Sequence, residues 1–238
     1  MVDRARDMIP VLRARARDAE LDRAVPRETF EQFAEEGFFR IHQPERFGGF
    51  GWDIGMMVRL GAELGQGCGS SCWIFSNLAV QNWILGMNRP EAQEDVWGSD
   101  PLALVASSFP TQGGKVERAE GGLIANGLWS FASGVDFADW NNMQVFVPSE
   151  SGDGPPEHRF ALVPKSDYEI VDDWFSPGLA GTGSRSIRLD NVFIPEHRTV
   201  PSTKLMGGPS PGSAINPGAL YRVPPLTLGT KVFAAPAL

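Results

Sequence analysis

At Pro101 the chain changes its repeat. Before that residue, apolar side chains recur at helical spacing. After it they come in short runs, Leu102-Ala103-Leu104-Val105-Ala106, Gly122 to Ser133, Met143 to Val147, Phe160 to Val163 and Ser186 to Ile194, parted by Gly, Pro, Asn and Asp. Runs broken by turn formers predict an antiparallel β region, and helices that precede the strands rather than alternate with them count against a doubly wound sheet. The expected class is α+β: an N-terminal helical domain over 1–100, an antiparallel β-barrel or sandwich domain over 101–200, and over 201–238 a loop leading into a last helical stretch.

The helical part carries its own punctuation. Ala/Arg-rich spacing runs from about Asp3 to Arg23; Pro26 opens a second helix at a favoured first-turn proline and Gly37 closes it. Asp53 is placed to cap a helix bearing Met56, Met57, Leu60 and Leu64. From Ser71 to Met87 the chain is apolar on most sides, so this helix is expected to lie buried among others. A short helix runs from Pro90 to Trp97; Pro201 to Pro217 reads as a loop, and Pro224 to Leu238 returns to helical composition.

Composition removes several classes. With 238 residues, 42% of them hydrophobic, the chain can bury a sizeable core. Its 21 Lys+Arg against 29 Asp+Glu include no dense basic run, which argues against nucleic acid as a partner. The acid-containing N-terminus does not read as a secretory signal and argues against an acid-poor transit peptide, and no stretch is long and apolar enough to cross a membrane, so a cytoplasmic location is expected. Cys68 and Cys72 lack partners for a zinc site and read as buried, inert thiols; no metal is expected. His42, His158 and His197 are scattered and read as solvated surface residues.

No phosphate loop, nucleophile elbow or zinc-protease motif is present. The glycines of Gly178-Leu179-Ala180-Gly181-Thr182-Gly183-Ser184 follow Trp174-Phe175-Ser176-Pro177 rather than a buried parallel strand, which rules out a dinucleotide loop. What stands out is a set of aromatics and hydroxyls. In Gly127-Leu128-Trp129-Ser130-Phe131-Ala132-Ser133-Gly134, strand alternation puts Trp129, Phe131 and Ser133 on one face. Ser107 and Ser108 end an earlier strand, and Trp140 and Trp174 add indoles. An apolar wall with a few hydroxyls suits a flat heteroaromatic cofactor. A β-sandwich core with surface serines would give the same pattern.

These motifs, taken together with Phe47-Gly48-Gly49, Ser70-Ser71-Cys72-Trp73, Val105-Ala106-Ser107-Ser108, Asp190-Asn191-Val192-Phe193-Ile194-Pro195 and Leu220-Tyr221-Arg222-Val223-Pro224, resemble the oxygenase component of two-component flavin-dependent monooxygenases, which share the acyl-CoA dehydrogenase fold. The resemblance runs from about Phe30 to the last residue. It implies a helical domain, a middle β domain and a C-terminal four-helix bundle, assembled as a homotetramer. It also implies reduced FMN or FAD supplied by a separate flavin reductase, and reaction with O₂ to a C4a-hydroperoxide that hydroxylates a small aromatic substrate.

Carried over by position, Phe131 and Ser133 would lie at the flavin ring, Ser107 and Ser108 at its polar edge, and Trp174 beside it. Trp129 would face either the flavin or the core. Thr182 and Ser184 are further candidates in a turn that a structural role would explain equally well. Gln81 and Ser133 are the candidate catalytic side chains. Where the aromatic hydroxylases are expected to carry histidines, this chain has Gln81 and Phe137, and a glutamine cannot act as a base near neutral pH. The chain ends where the first bundle helix is expected to begin, so it reads as a fragment lacking that bundle. An acyl-CoA dehydrogenase-type oxidoreductase and a non-catalytic truncated binding module are the competing readings.

Overall fold

Helix α5 (Gly69–Gly86) is the axis of the molecule: nearly every residue from Ser70 onward is buried, because other elements pack on all its sides. The computed structural model describes residues 1–110, 114–150 and 153–232. Ahead of α5 come α1 (Val2–Asp7), α2 (Ile9–Asp22), α3 (Arg27–Glu35) and α4 (Ile54–Gly65); α6 (Pro90–Trp97) follows it. The expected N-terminal helix is thus two helices. Asp53 caps α4 as anticipated, its carboxylate accepting from the Gly55 N–H at 2.7 Å. Gly37 ends the α3 turn in the left-handed region at φ +74°, where Cβ-bearing residues are strained.

Among the described residues eight strands follow: β1 (Val105–Pro110), β2 (Lys115–Ala119), β3 (Gly122–Ala132), β4 (Trp140–Val147), β5 (Glu157–Pro164), β6 (Glu169–Val171), β7 (Arg185–Pro195) and β8 (Thr199–Pro201). Their order is β6-β7-β3-β1-β4-β5-β8, with β2 paired to β3. Chain order and class match the α+β expectation, but the purely antiparallel sheet does not. β1 runs parallel to β4, from Val105↔Trp140 to Ser108↔Met143, and only its far end meets β3, at Phe109↔Ser130 and Pro110↔Trp129. β1 therefore joins two antiparallel groups, and the β2–β3 hairpin supplies the long connection that a parallel pair needs.

The segment after β8 is irregular, as its Pro, Gly and Ser content predicts, yet it is firmly seated. Tyr221 lies so close to Gly86 that a Cβ there would sit 2.5 Å from the ring, and its hydroxyl donates to the His42 carbonyl at 3.1 Å. Trp83 Nε1 donates to the Leu220 carbonyl at 2.8 Å. Helix α7 (Pro225–Val232) then starts within the stretch expected to be helical; residues 233–238 of that stretch lie outside the described residues.

Candidate functional site

Trp73, Asn77, Val80, Gln81 and Ile84 recur at helical spacing and form one face of α5. This face forms one side of a cleft of about 660 Å³, within the size range of small-molecule sites. Opposite it stand Ser107 and Phe109 of β1, Gln144 of β4 and Phe160 of β5; Phe131, Ser133 and the turn from Trp174 to Ser184 close one end, and Pro225 and Leu226 of α7 contribute the rim.

Of the residues singled out in the sequence, Gln81, Ser107, Phe131, Ser133, Trp174, Thr182 and Ser184 line this cleft together. Ser108 and Trp129 do not. Adjacent residues of a strand face opposite ways, so with Ser107 in the cleft Ser108 turns away and donates to Asn141 Oδ1 at 2.8 Å. Trp129 is 1% exposed and donates its indole N–H to the Gln144 carbonyl at 3.0 Å, on the core side of the sheet. The expected alternation of Trp129, Phe131 and Ser133 fails because the β3–β7 register shifts between Trp129↔Ile187 and Ala132↔Arg185. Phe131 takes up the extra residue at φ +64°, which swings its ring into the cleft.

A line of hydroxyls forms the polar floor. Trp73 Nε1 lies 3.0 Å from Ser133 Oγ, Ser133 Oγ 2.7 Å from Ser184 Oγ, and Ser184 Oγ 2.7 Å from Thr182 Oγ1, which donates to the Leu179 carbonyl at 2.9 Å. Further out, Asn77 pairs with Ser107 and Gln81 accepts from Asn142 Nδ2 at 2.9 Å. The aromatic wall is Trp174, edge-on to Phe131 with centroids 6.2 Å apart. Trp174 is held from behind: its indole donates to the Ala180 carbonyl at 3.1 Å, and Arg23 donates to its backbone carbonyl at 3.0 Å while pairing with Asp172. The Arg23 and Arg185 guanidiniums hold the Asp172 carboxyl down at about 2.

The Gly-rich turn is anchored by Glu20 of α2, which accepts from Ser70 Oγ at 2.6 Å and from the N–H groups of Ala180 and Gly181 at 2.9 and 3.3 Å. Burial works against its charge, but these three donors outweigh it and hold the carboxyl below the usual range. Glu20→Ala is expected to speed hydrogen exchange of the Ala180 and Gly181 amides by about tenfold, since both lose their acceptor. Unchanged protection would show that the turn holds itself.

Of the three histidines, His42 departs outright from the solvated surface position expected of it, whereas His158 and His197 are half-buried. His42 is fully buried, with Nδ1 2.9 Å from the Trp52 carbonyl and Nε2 3.1 Å from Met57 Sδ. His158 meets Gln144 Oε1 at 3.0 Å and His197 meets Asp95 Oδ2 at 2.8 Å. Both cysteines are buried; burial pushes the Cys72 thiol up to about 12, so it is inert. Phe137 stacks on Phe30 at 4.3 Å rather than lining the cleft. Among the described residues no group of His, Cys, Asp and Glu could hold a metal, and no helix is long and apolar enough to cross a membrane. Missed from the sequence were Trp73 and Asn77, although two amides and an indole on one face of an otherwise apolar helix were a signal.

A helical layer leading into a mixed sheet, with a small-molecule cleft between them, defines an acyl-CoA dehydrogenase-like core, and residues 2–97 match the acyl-CoA dehydrogenase N-terminal domain family. Within that class the chain is a relative of the oxygenase components of flavin-dependent monooxygenases. It is 35% identical over 231 residues, 96% of its length and 59% of the other, to the flavin-dependent monooxygenase oxygenase subunit HsaA of Rhodococcus jostii. To the oxygenase component of the FADH(2)-dependent resorcinol hydroxylase of a Rhizobium species it is 36% identical, covering 95% of this chain and 55% of that protein. The crystal structure of 3-HSA hydroxylase from Rhodococcus sp. RHA1 superposes with a TM-score of 0.93 at 34% identity, over 98% of this chain and 60% of that one. The chain therefore spans somewhat over half the length of these relatives.

Proposed function

We propose that the chain carries much of the flavin and substrate site of a two-component flavin-dependent monooxygenase oxygenase component, acting on a small aromatic compound in the cytoplasm with reduced FMN or FAD handed over by a separate reductase. The full-length protein would be a homotetramer. The observation that carries this reading is the cleft itself, flanked by Phe131 and Trp174 and floored by Ser133, Thr182 and Ser184. Its volume and its pairing of aromatic edge with hydroxyl floor fit a tricyclic ring that is apolar on its faces and polar at its rim. Ser107, Phe131, Ser133, Trp174, Thr182 and Ser184 would hold that ring; Ser108 and Trp129 drop out of the set.

When bound, the reduced flavin would supply the activation of O₂. The chain's own part is to bind, orient and keep water out. Phe109, Val80, Ile84, Phe160 and Leu226 give the substrate side an apolar lining, which excludes water from the reacting centre. Gln81, fixed by Asn142, and Asn77, fixed by Ser107, are oriented amides that can position a polar substituent of the substrate. Gln81 cannot remove a proton, so a phenolic substrate would be oriented here rather than ionised.

The test is anaerobic addition of reduced FMN or FAD to the protein, then ¹⁸O₂ and a panel of phenols, with products weighed by mass spectrometry. One labelled oxygen in the product is the expected result. Desaturation of an acyl-CoA coupled to reduction of an electron acceptor would put the chain with the dehydrogenases instead, and flavin binding without any turnover would make it a binding module.

A further inference from the structure

Each hydroxyl has one proton to give, and a carbonyl has none. That fixes the direction of every bond in the cleft floor. The Leu179 carbonyl can only accept, so Thr182 spends its proton there; the same oxygen also takes the Thr182 backbone N–H at 3.1 Å, which fills both lone pairs. Thr182 has no proton left for Ser184, so Ser184 donates to Thr182. Ser133 must then donate to Ser184, and the donor-only indole of Trp73 occupies one lone pair of Ser133. Ser133, Thr182 and Ser184 are each at least 95% buried, so water is poorly placed to reverse the order. The chain runs one way, from Trp73 through three hydroxyls to Leu179.

We propose that this one-way relay leaves Ser133 only a lone pair to offer the cleft, so that the floor accepts but does not donate, and that it thereby selects the reduced over the oxidised flavin. The inference rests on the flavin reading above. The central ring of an oxidised isoalloxazine presents a bare nitrogen, which is an acceptor, whereas the two-electron-reduced ring carries N–H there, which is a donor. An acceptor facing an acceptor loses a hydrogen bond and adds repulsion; an acceptor facing N–H gains one. Ser133 touches the ligand in this scheme, while Trp73, Ser184 and Thr182 are positioning residues that set which way its proton points.

The experiment compares dissociation constants for FMN in the oxidised state and in the dithionite-reduced state, by equilibrium titration of the 238-residue chain, carried to millimolar flavin so that weak binding is measured. The wild-type chain is expected to bind the reduced form more tightly. Ser184→Ala removes the acceptor of the Ser133 proton and lets it turn into the cleft. Thr182→Val frees the Ser184 proton and, through it, that of Ser133. Either change should lower the oxidised-to-reduced ratio of dissociation constants by on the order of fivefold, chiefly by tightening the oxidised form. Thr182→Ser preserves the relay and should preserve the ratio.

A merely structural role would weaken both redox forms alike. If Ser184→Ala and Thr182→Val leave the ratio at its wild-type value, the relay is overturned while the flavin reading stands. A wild-type chain that binds neither form overturns the flavin reading and this inference with it.

Discussion

Trp129→Ala is expected to cost about 3–5 kcal/mol in urea denaturation, the range for removing a large buried aromatic, whereas Phe131→Gly, two residues along the same strand, should leave stability unchanged or raise it by up to about 1 kcal/mol. The contrast follows from the register shift. Trp129 is sealed in the core and its N–H holds the Gln144 carbonyl of β4, so truncation leaves both a cavity and an unpaired acceptor. Gly114 is packed so tightly on the indole that a Cβ there would come within 2.9 Å of it, which leaves little slack for collapse. Phe131, by contrast, is 51% exposed and held at φ +64°, a conformation that glycine adopts freely and phenylalanine only under strain. Flavin affinity should divide the opposite way: weakened by Phe131→Gly, which removes an aromatic wall of the cleft, and unchanged in a folded Trp129→Phe chain. Finding the affinities reversed would return Trp129 to the site and remove Phe131 from it.

That pair also shows where sequence stops being legible. The helices could be read because their ends are chemically marked: Asp53 caps α4, Gly37 takes the left-handed turn after α3, and Pro90 opens α6. The strand runs could be read as runs, but not the partner of each. Nothing in Val105 to Ser108 distinguishes parallel pairing with β4 from an antiparallel hairpin, because the connection that permits it includes the whole β2–β3 ribbon. The period-two rule placed Trp129 and Phe131 on one face, and it failed where the pairing with β7 slips, a property of two strands that neither strand displays alone. Most of the cleft was nonetheless visible. Ser107, Phe131, Ser133, Trp174, Thr182 and Ser184 come from three separate segments, and they converge because β1 and β7 lie either side of β3. His42 was misread for the same reason Trp129 was: its burial is created by Trp83 and Met57, from α5 and α4, and leaves no trace in its neighbours along the chain.

That buried imidazole gives the second large effect. Lowering the pH from about 6.5 to about 4 is expected to remove about 3 kcal/mol of stability through His42 alone. The Trp52 carbonyl can only accept, so Nδ1 carries the proton of the neutral ring, and Nε2 faces the thioether of Met57, a weak acceptor at best. Burial pushes the pKa down to about 4, against the smaller opposing pull of the Trp52 carbonyl and the Asp53 charge. The unfolded chain takes up the proton near the ordinary histidine value of about 6.5, so between these values it binds more protons than the folded chain. The stability is therefore fully present above about pH 6.5 and drains away as the pH falls toward 4. Asp172, held at about 2, acts lower and releases its contribution only below its ordinary value of 3.8, whereas burial holds the Asp136 carboxyl above the usual range. Burial lowers His158 as well, so it adds to the slope in the window from about pH 5 to 6.5; His42→Gln should flatten the slope of unfolding free energy against pH there without abolishing it, whatever the substitution costs at neutral pH. Parallel slopes for wild type and His42→Gln across that window would mean that the ring is protonated in place, with Nε2 reaching an acceptor other than sulfur.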